Sequence, residues 1–185
     1  RYWLHNGMLT FNGKKMSKSI GNVMLLHELL QKHPPELLRY LLLKAHYRHP
    51  LDWSDATIAQ ARATLDGWYG ALRDLADVEI EGEAPAPPDV EAALLDDLNT
   101  PQALSIIAEL ATASRRATTP QARKTAKAAL LGAGAMLGLL RLDPEAWFKQ
   151  AGGSADALAV DPAEIDALIV RRNEARKSRD FAEAD

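Results

Sequence analysis

Apolar residues recur along most of this chain in steps of three and four, and strand-like text is confined to its first residues. The clearest stripe runs through Ile58, Ala61, Leu65, Trp68, Tyr69, Leu72 and Leu75 and predicts a long amphipathic helix. Ser54 stands in front of it as a good N-cap, with Trp53 and Ile58 placed to form an apolar staple. Leu25, Leu26, Leu29 and Leu30 predict a shorter helix that breaks at His33-Pro34-Pro35. Pro35 then opens a helix so rich in leucine that burial on more than one side is expected.

Four later positions share one start signal, a capping oxygen followed by proline: Thr100-Pro101, Thr119-Pro120, Asp143-Pro144 and Asp161-Pro162, with Glu164 adding a capping-box-like partner for Asp161. The repeated Thr-Pro-Gln-Ala at Thr100 and Thr119 reflects this chemistry and is no internal repeat. Ala126, Leu130, Ala133, Leu137 and Leu140 form the face of the helix after Thr119. Gly132, Gly134 and Gly138 weaken that helix by roughly 1 kcal/mol each, which predicts that another helix approaches closely there. Residues 1–14 read as a short hairpin or strand pair with turns at Asn6-Gly7 and Asn12-Gly13. Glu81 to Asp89, with three prolines and a glycine, reads as a linker, and Gly152-Gly153-Ser154 as a flexible joint.

Composition narrows the function classes. With 185 residues, 47% of them hydrophobic, the chain can build one or two modest cores. A nucleic-acid binder that relied on bulk charge would be more basic than a net charge of −3, so RNA contacts must come from local basic patches. Without cysteine, disulfides and thiolate zinc sites are excluded within this segment. No apolar run reaches the roughly 20 residues that span a bilayer. Strand-like text right at Arg1, with no leader, and helical text up to Asp185 predict a segment cut at both ends from a larger protein.

The chemistry concentrates in Asn12-Gly-Lys-Lys-Met-Ser-Lys-Ser-Ile-Gly-Asn22. Lysine ammonium groups are compact charges on flexible stems that can follow moving phosphate oxygens. Hydroxyl residues add donors, and Gly13 and Gly21 allow the backbone to turn closely around a ligand. Such a loop suits displacement at phosphorus, where charge gathers on the leaving group. A short Lys/Ser loop beside glycine is, taken alone, usually a solvated connection.

The full string Lys15-Met16-Ser17-Lys18-Ser19 resembles the KMSKS signature of class I aminoacyl-tRNA synthetases at all five positions. Tyr2-Trp3-Leu4-His5-Asn6-Gly7-Met8 resembles the lead-in to this loop in cysteinyl-tRNA synthetases. His46-Tyr47-Arg48, Asp97-Leu98-Asn99-Thr100-Pro101 and Arg176-Lys177-Ser178-Arg179-Asp180-Phe181 also look like that family, in the same order. The resemblance covers almost the whole chain and identifies it as the C-terminal portion of such a protein. It implies a mainly all-α fold, a helical bundle of the class I anticodon-binding type after a short β/loop remnant of a Rossmann-like catalytic domain. The implied segments are 1–22 with the loop, 23–53 as a helical stem-contact region, 54–142 as the tRNA/anticodon-binding bundle, 143–160 as a linker and 161–185 as the start of a distal anticodon module.

The implied reaction joins L-cysteine, ATP and tRNA(Cys) into cysteinyl-tRNA, AMP and pyrophosphate, with Mg accompanying ATP, in a cytoplasmic monomer with no membrane partner. By resemblance Lys18 and then Lys15 are the catalytic candidates, and Met16, Ser17, Ser19 and His5 join them around ATP. For His5 the competing reading is a hydrogen-bonded histidine near a turn. Arg48, Arg176, Phe181 and Asp185 are the expected tRNA contacts, Phe181 standing where the family commonly has tryptophan. For Arg48 an ordinary cation at a helix C-terminus is the alternative. Arg115, Arg116, Arg123, Lys124 and Lys127 cluster around the Thr119 break, and Arg171, Arg172, Arg176, Lys177 and Arg179 on the last helix. A basic cluster is ordinarily a solvated face, but in the second one the neighbouring Phe181 can stack on an unstacked base.

No metal site is expected here, since His27, His33, His46 and His49 lack ligand spacing. The zinc that the resemblance implies for the full-length enzyme would take ligands before Arg1. A His-Ile-Gly-His motif and a Rossmann βαβ pattern do not occur in this segment either, so it is expected to be inactive alone. Three other readings remain: a related ligase joining activated cysteine to an amino-sugar, a non-catalytic RNA-binding helical module, and a structural helical bundle with no nucleotide or RNA affinity. The Arg176–Asp185 element disfavours the first, and the intact KMSKS string disfavours the second.

Overall fold

The computed structural model describes residues 1–17, 19, 23, 25–150, 167 and 170–172. The chain divides into a unit Arg1–Ala151 and a unit Gly152–Asp185. In the second unit Ala167, Val170, Arg171 and Arg172 are helical and exposed.

The first unit opens with a small sheet. β1 (Leu9–Phe11) and β2 (Lys14–Lys15) form an antiparallel hairpin, and β3 (Leu51–Trp53) adds to the other side of β1 in parallel, pairing Leu9 with Leu51, Thr10 with Asp52 and Phe11 with Trp53. Parallel neighbours need a crossover. Here it contains α1 (Leu26–Lys32) and α2 (Pro35–Leu43). The hairpin turn needs two left-handed residues, and Asn12 (φ 50°) and Gly13 (φ 72°) supply them.

The other predicted turn, at Asn6-Gly7, does not form. Gly7 instead lies flat against the loop after α2, where a Cβ would sit 2.0 Å from the His49 carbonyl oxygen, and its amide donates to the Tyr47 carbonyl at 2.6 Å. Close backbone approach is the role of that glycine.

α3 (Asp55–Arg73) follows the sequence pattern closely. Ser54 and Thr57 close a reciprocal capping box, and Ala61, Leu65, Trp68, Tyr69 and Leu72 are buried. α4 (Pro88–Leu95), α5 (Thr100–Ser114) and α6 (Pro120–Leu137) complete the bundle, with α5 packed against α3, α4 and α6. α4 starts at the end of the expected linker: Pro88 at its first turn suits a helix start, and Val90 is fully buried. α5 is capped by Asn99, whose Oδ1 accepts from the Gln102 amide at 3.2 Å, and not by Thr100. The Thr100 hydroxyl crosses to the Leu43 carbonyl at 2.8 Å.

Gly132 and Gly134 of α6 admit loop segments, not a second helix, while a Cβ at Gly138 would lie 3.3 Å from the Arg39 side chain of α2. Gly132 makes room for the 79–87 linker, since a Cβ there would meet the Pro85 carbonyl oxygen at 2.1 Å. Gly134 makes room for the turn after its own helix, and Gly138 (φ 66°) is that helix's left-handed C-cap, with the Leu139 amide returning to the Gly134 carbonyl at 2.8 Å.

The expectation of a linker over 143–160 fails for 144–150, which form α7 (Pro144–Gln150) capped by Asp143. Its Trp147 is fully buried, stacks on Tyr69 at 4.6 Å and donates its indole N–H to Asp66 at 2.7 Å. Burying an aromatic of that size outweighs the freedom a linker would keep. α2 is buried on more than one side, as its leucines predict: Leu37, Leu38, Tyr40 and Leu41 are in the core, while Leu42 is 51% exposed. Beside those leucines sits the buried Glu36, with its two oxygens bonded to the Tyr69 hydroxyl and to the amide of Leu140, a residue at φ 57°.

Candidate functional site

The candidate loop leaves the sheet at β2. Lys14 and Lys15 are exposed and pair with Phe11 and Thr10 respectively. Met16 is half-buried and packs against the core, so one apolar side chain anchors the string just after Lys15. Ser17 is half-buried, and its hydroxyl lies 3.2 Å from that of Ser19. Lys18, Ile20, Gly21, Asn22 and Met24 lie outside the described residues. His5 is exposed, two residues ahead of the close contact of Gly7 with His49.

What holds the base of the loop is Asp52, a residue that sequence reasoning passed over. Its Oδ1 accepts from the Thr10 hydroxyl at 2.6 Å and from the Gly13 amide at 2.7 Å. These two bonds, the Thr10 one foremost, hold its carboxyl below the usual carboxylate range. The Asn12 amide donates to the Trp53 carbonyl at 3.0 Å. Both residues of the hairpin turn are therefore tied to β3. Only the parallel pairing of β1 with β3 reveals this, and nothing in the local text around Asp52 announces a partner 42 residues away.

A second cluster joins two of the sequence motifs singled out above. Arg48, exposed on the loop after α2, makes a forked contact with Asp97, through Nε at 2.6 Å and Nη2 at 2.9 Å. The Tyr47 hydroxyl donates to the same carboxylate at 2.7 Å, and the ring of His46 stacks on that of Tyr47. Asp97 and Leu98 both adopt positive φ, which turns the carboxylate at the α4–α5 corner towards the loop. Arg48 and then Tyr47 hold the Asp97 carboxyl far below its ordinary range. The loop after α2 is thus clasped from two sides, by the α4–α5 corner and by Gly7 on the approach to β1.

The first basic cluster has internal work. Arg123 grips Asp77 in a fork at 2.7 and 2.8 Å and reaches the Asp74 carbonyl at 2.9 Å. Lys127 donates to the carbonyls of Leu75 and Val78, and Arg115 to that of Gly67. These cations satisfy carbonyls in and just beyond the last turns of α3. Arg176, Phe181 and Asp185 lie outside the described residues. Among the described residues no group of three or more His, Asp or Glu could hold a metal, and no helix is long and apolar enough to cross a membrane.

Two parts of the chain match known families. Residues 1–63 match the family model of the class I (C) tRNA synthetase catalytic domain, and residues 89–141 match the DALR domain. The whole chain is similar to proteins named cysteine–tRNA ligase. It is 57% identical to the one from Xanthomonas campestris pv. campestris over 185 residues, 53% to that of Parvibaculum lavamentivorans over 186 and 52% to that of Xylella fastidiosa over 195. The chain spans 39 to 40% of the length of these curated relatives.

Proposed function

We propose, for a chain that belongs to the cysteine–tRNA ligase family, that its β1–β2 hairpin delivers a phosphate-contacting lysine loop to ATP while the helices beyond it carry tRNA(Cys). In the full-length protein the L-cysteine carboxylate attacks the α-phosphorus of Mg-bound ATP, and pyrophosphate leaves. A tRNA ribose hydroxyl then takes the cysteinyl group from the adenylate and releases AMP. Lys18 and Lys15 meet the charge that gathers on the departing phosphates, and Met16, Ser17, Ser19 and His5 shape the ATP side. One observation carries this reading: the intact Lys15-Met16-Ser17-Lys18-Ser19 string leaves β2 directly, from a hairpin pinned at both turn residues.

The bundle with its DALR match supports the tRNA side, and with it a tRNA ligase over a ligase for an amino-sugar. Arg48 on the stem side, and Arg176, Phe181 and Asp185 on the distal module, are the proposed RNA contacts. A zinc for the cysteine thiol would be held outside this segment, and a cytoplasmic monomer is the proposed setting. The test is Lys18→Ala in the full-length protein. ATP–pyrophosphate exchange should fall by about 100-fold with cysteine binding little changed. An unchanged exchange rate overturns the assignment.

A further inference from the structure

We infer that Asp52 is a positioning residue for the lysine loop, its carboxylate fixing the hairpin turn from which β2 and Lys15 lead into that loop. The inference rests on the reading of that loop as the phosphate-contacting element.

Thr10 is the node of the arrangement. In β1 it pairs with Lys15 on one side and with Asp52 on the other, and its hydroxyl bonds the Asp52 carboxylate at 2.6 Å. That same carboxylate oxygen accepts the Gly13 amide at 2.7 Å, at the second residue of the turn. The amide of the first, Asn12, is held by the Trp53 carbonyl. A two-residue turn with both φ angles positive has its geometry set by these amides. A two-stranded ribbon this short does not hold itself together in water, so the tie to β3 decides where β2 and its lysines point. Bonds to an ionised acceptor are the stronger kind, and here one acceptor serves both the strand and its turn.

A mere strand staple and a positioning residue differ in what they disturb. A staple alters stability and touches both half-reactions alike. A positioning residue alters the ATP step, because a displacement of about 1 Å at the reacting groups costs up to about 100-fold in rate. The test uses the full-length enzyme and measures ATP–pyrophosphate exchange beside single-turnover transfer from preformed cysteinyl-adenylate. Asp52→Ala should lower kcat/KM for ATP in exchange by about 10-fold to 100-fold, with KM for cysteine and the transfer rate near wild type. Asp52→Asn, whose amide oxygen still accepts both bonds, should restore most of the loss, and Thr10→Val should show part of it. Equal losses in exchange and transfer, or no loss in Asp52→Ala, overturn the proposal. Should Asp52→Ala fail to fold, Thr10→Val decides by the same split. Lys18→Ala run in parallel separates the two readings. If it loses exchange while Asp52→Ala does not, only the positioning role falls. If it keeps exchange, the loop assignment falls first.

Discussion

Glu36 accepts the hydroxyl of Tyr69 at 2.7 Å and, through its second oxygen, the amide of Leu140 at 2.7 Å. One buried side chain on α2 therefore ties α3 to the turn that closes α6, and the Tyr69 ring carries the tie on to Trp147 of α7. Removing it strands a buried phenol and a buried N–H, each worth about 1–3 kcal/mol when unpaired. Glu36→Ala should therefore lower unfolding free energy by about 3 kcal/mol, and Glu36→Gln by less, since the amide keeps only one acceptor. Urea denaturation of the three proteins would establish the order.

The same pair sets an alkaline limit. Burial first, and the bond to Glu36 second, push the Tyr69 phenol well above its usual range. A folded-state pKa raised above the unfolded value, about 10, means that this contribution is complete below pH 10 and is lost as pH climbs beyond it. The urea midpoint should fall more steeply above that pH in wild type than in Tyr69→Phe. Parallel slopes in the two proteins would remove Tyr69 from the account.

Arg48 and Asp97 can be separated by kinetics. If Arg48 also contacts an RNA phosphate, Arg48→Ala should raise KM for tRNA several-fold, leave pyrophosphate exchange unchanged and reduce the salt slope of tRNA binding by about 1. Arg48→Lys should fail to restore the forked contact with Asp97. Because the folded-state pKa of Asp97 is depressed, the clasp is present above the ordinary carboxylate value and is lost only as pH falls well below it. Side-chain NMR of Asp97 during acid titration reads that limit.

Two glycines in helices should respond oppositely to alanine. At Gly132 a Cβ would lie 2.1 Å from the Pro85 carbonyl oxygen, so Gly132→Ala must displace the linker and should cost about 1–3 kcal/mol. At Gly67 the nearest atom is an Arg115 nitrogen 3.9 Å away, so Gly67→Ala should gain up to about 1 kcal/mol from helix propensity. Thermal melts of the two variants, run together, compare them directly.

Helix periodicity carried α3 almost completely, because its buried stripe and its Ser54 cap are both local. The Asn12-Gly13 turn was equally legible, since the required backbone angles select those residue types. What escaped were partners distant in sequence. Gly132 reads as a helix weakener until Pro85 is seen against it, and Arg123 as surface charge until Asp77 and the end of α3 appear beside it. α7 was split between a valid start signal at Asp143-Pro144 and a presumed linker, because the slot that Trp147 fills is built by Asp66 and Tyr69 of α3. At the candidate site the lysine string was readable as a motif, whereas Asp52 gains meaning only from its parallel register with Thr10.

The parallel register of β1 with β3 also dictates an order of assembly. The hairpin cannot be locked until α1, α2 and the strand after them have been synthesised and laid alongside, because Asp52 follows Thr10 by 42 residues. Contacts between such distant positions form late and slowly, since chain closure comes before any reward. On the ribosome, the lysine string would emerge long before the strand that aims it, so competence of this corner is the last thing the amino-terminal sheet acquires.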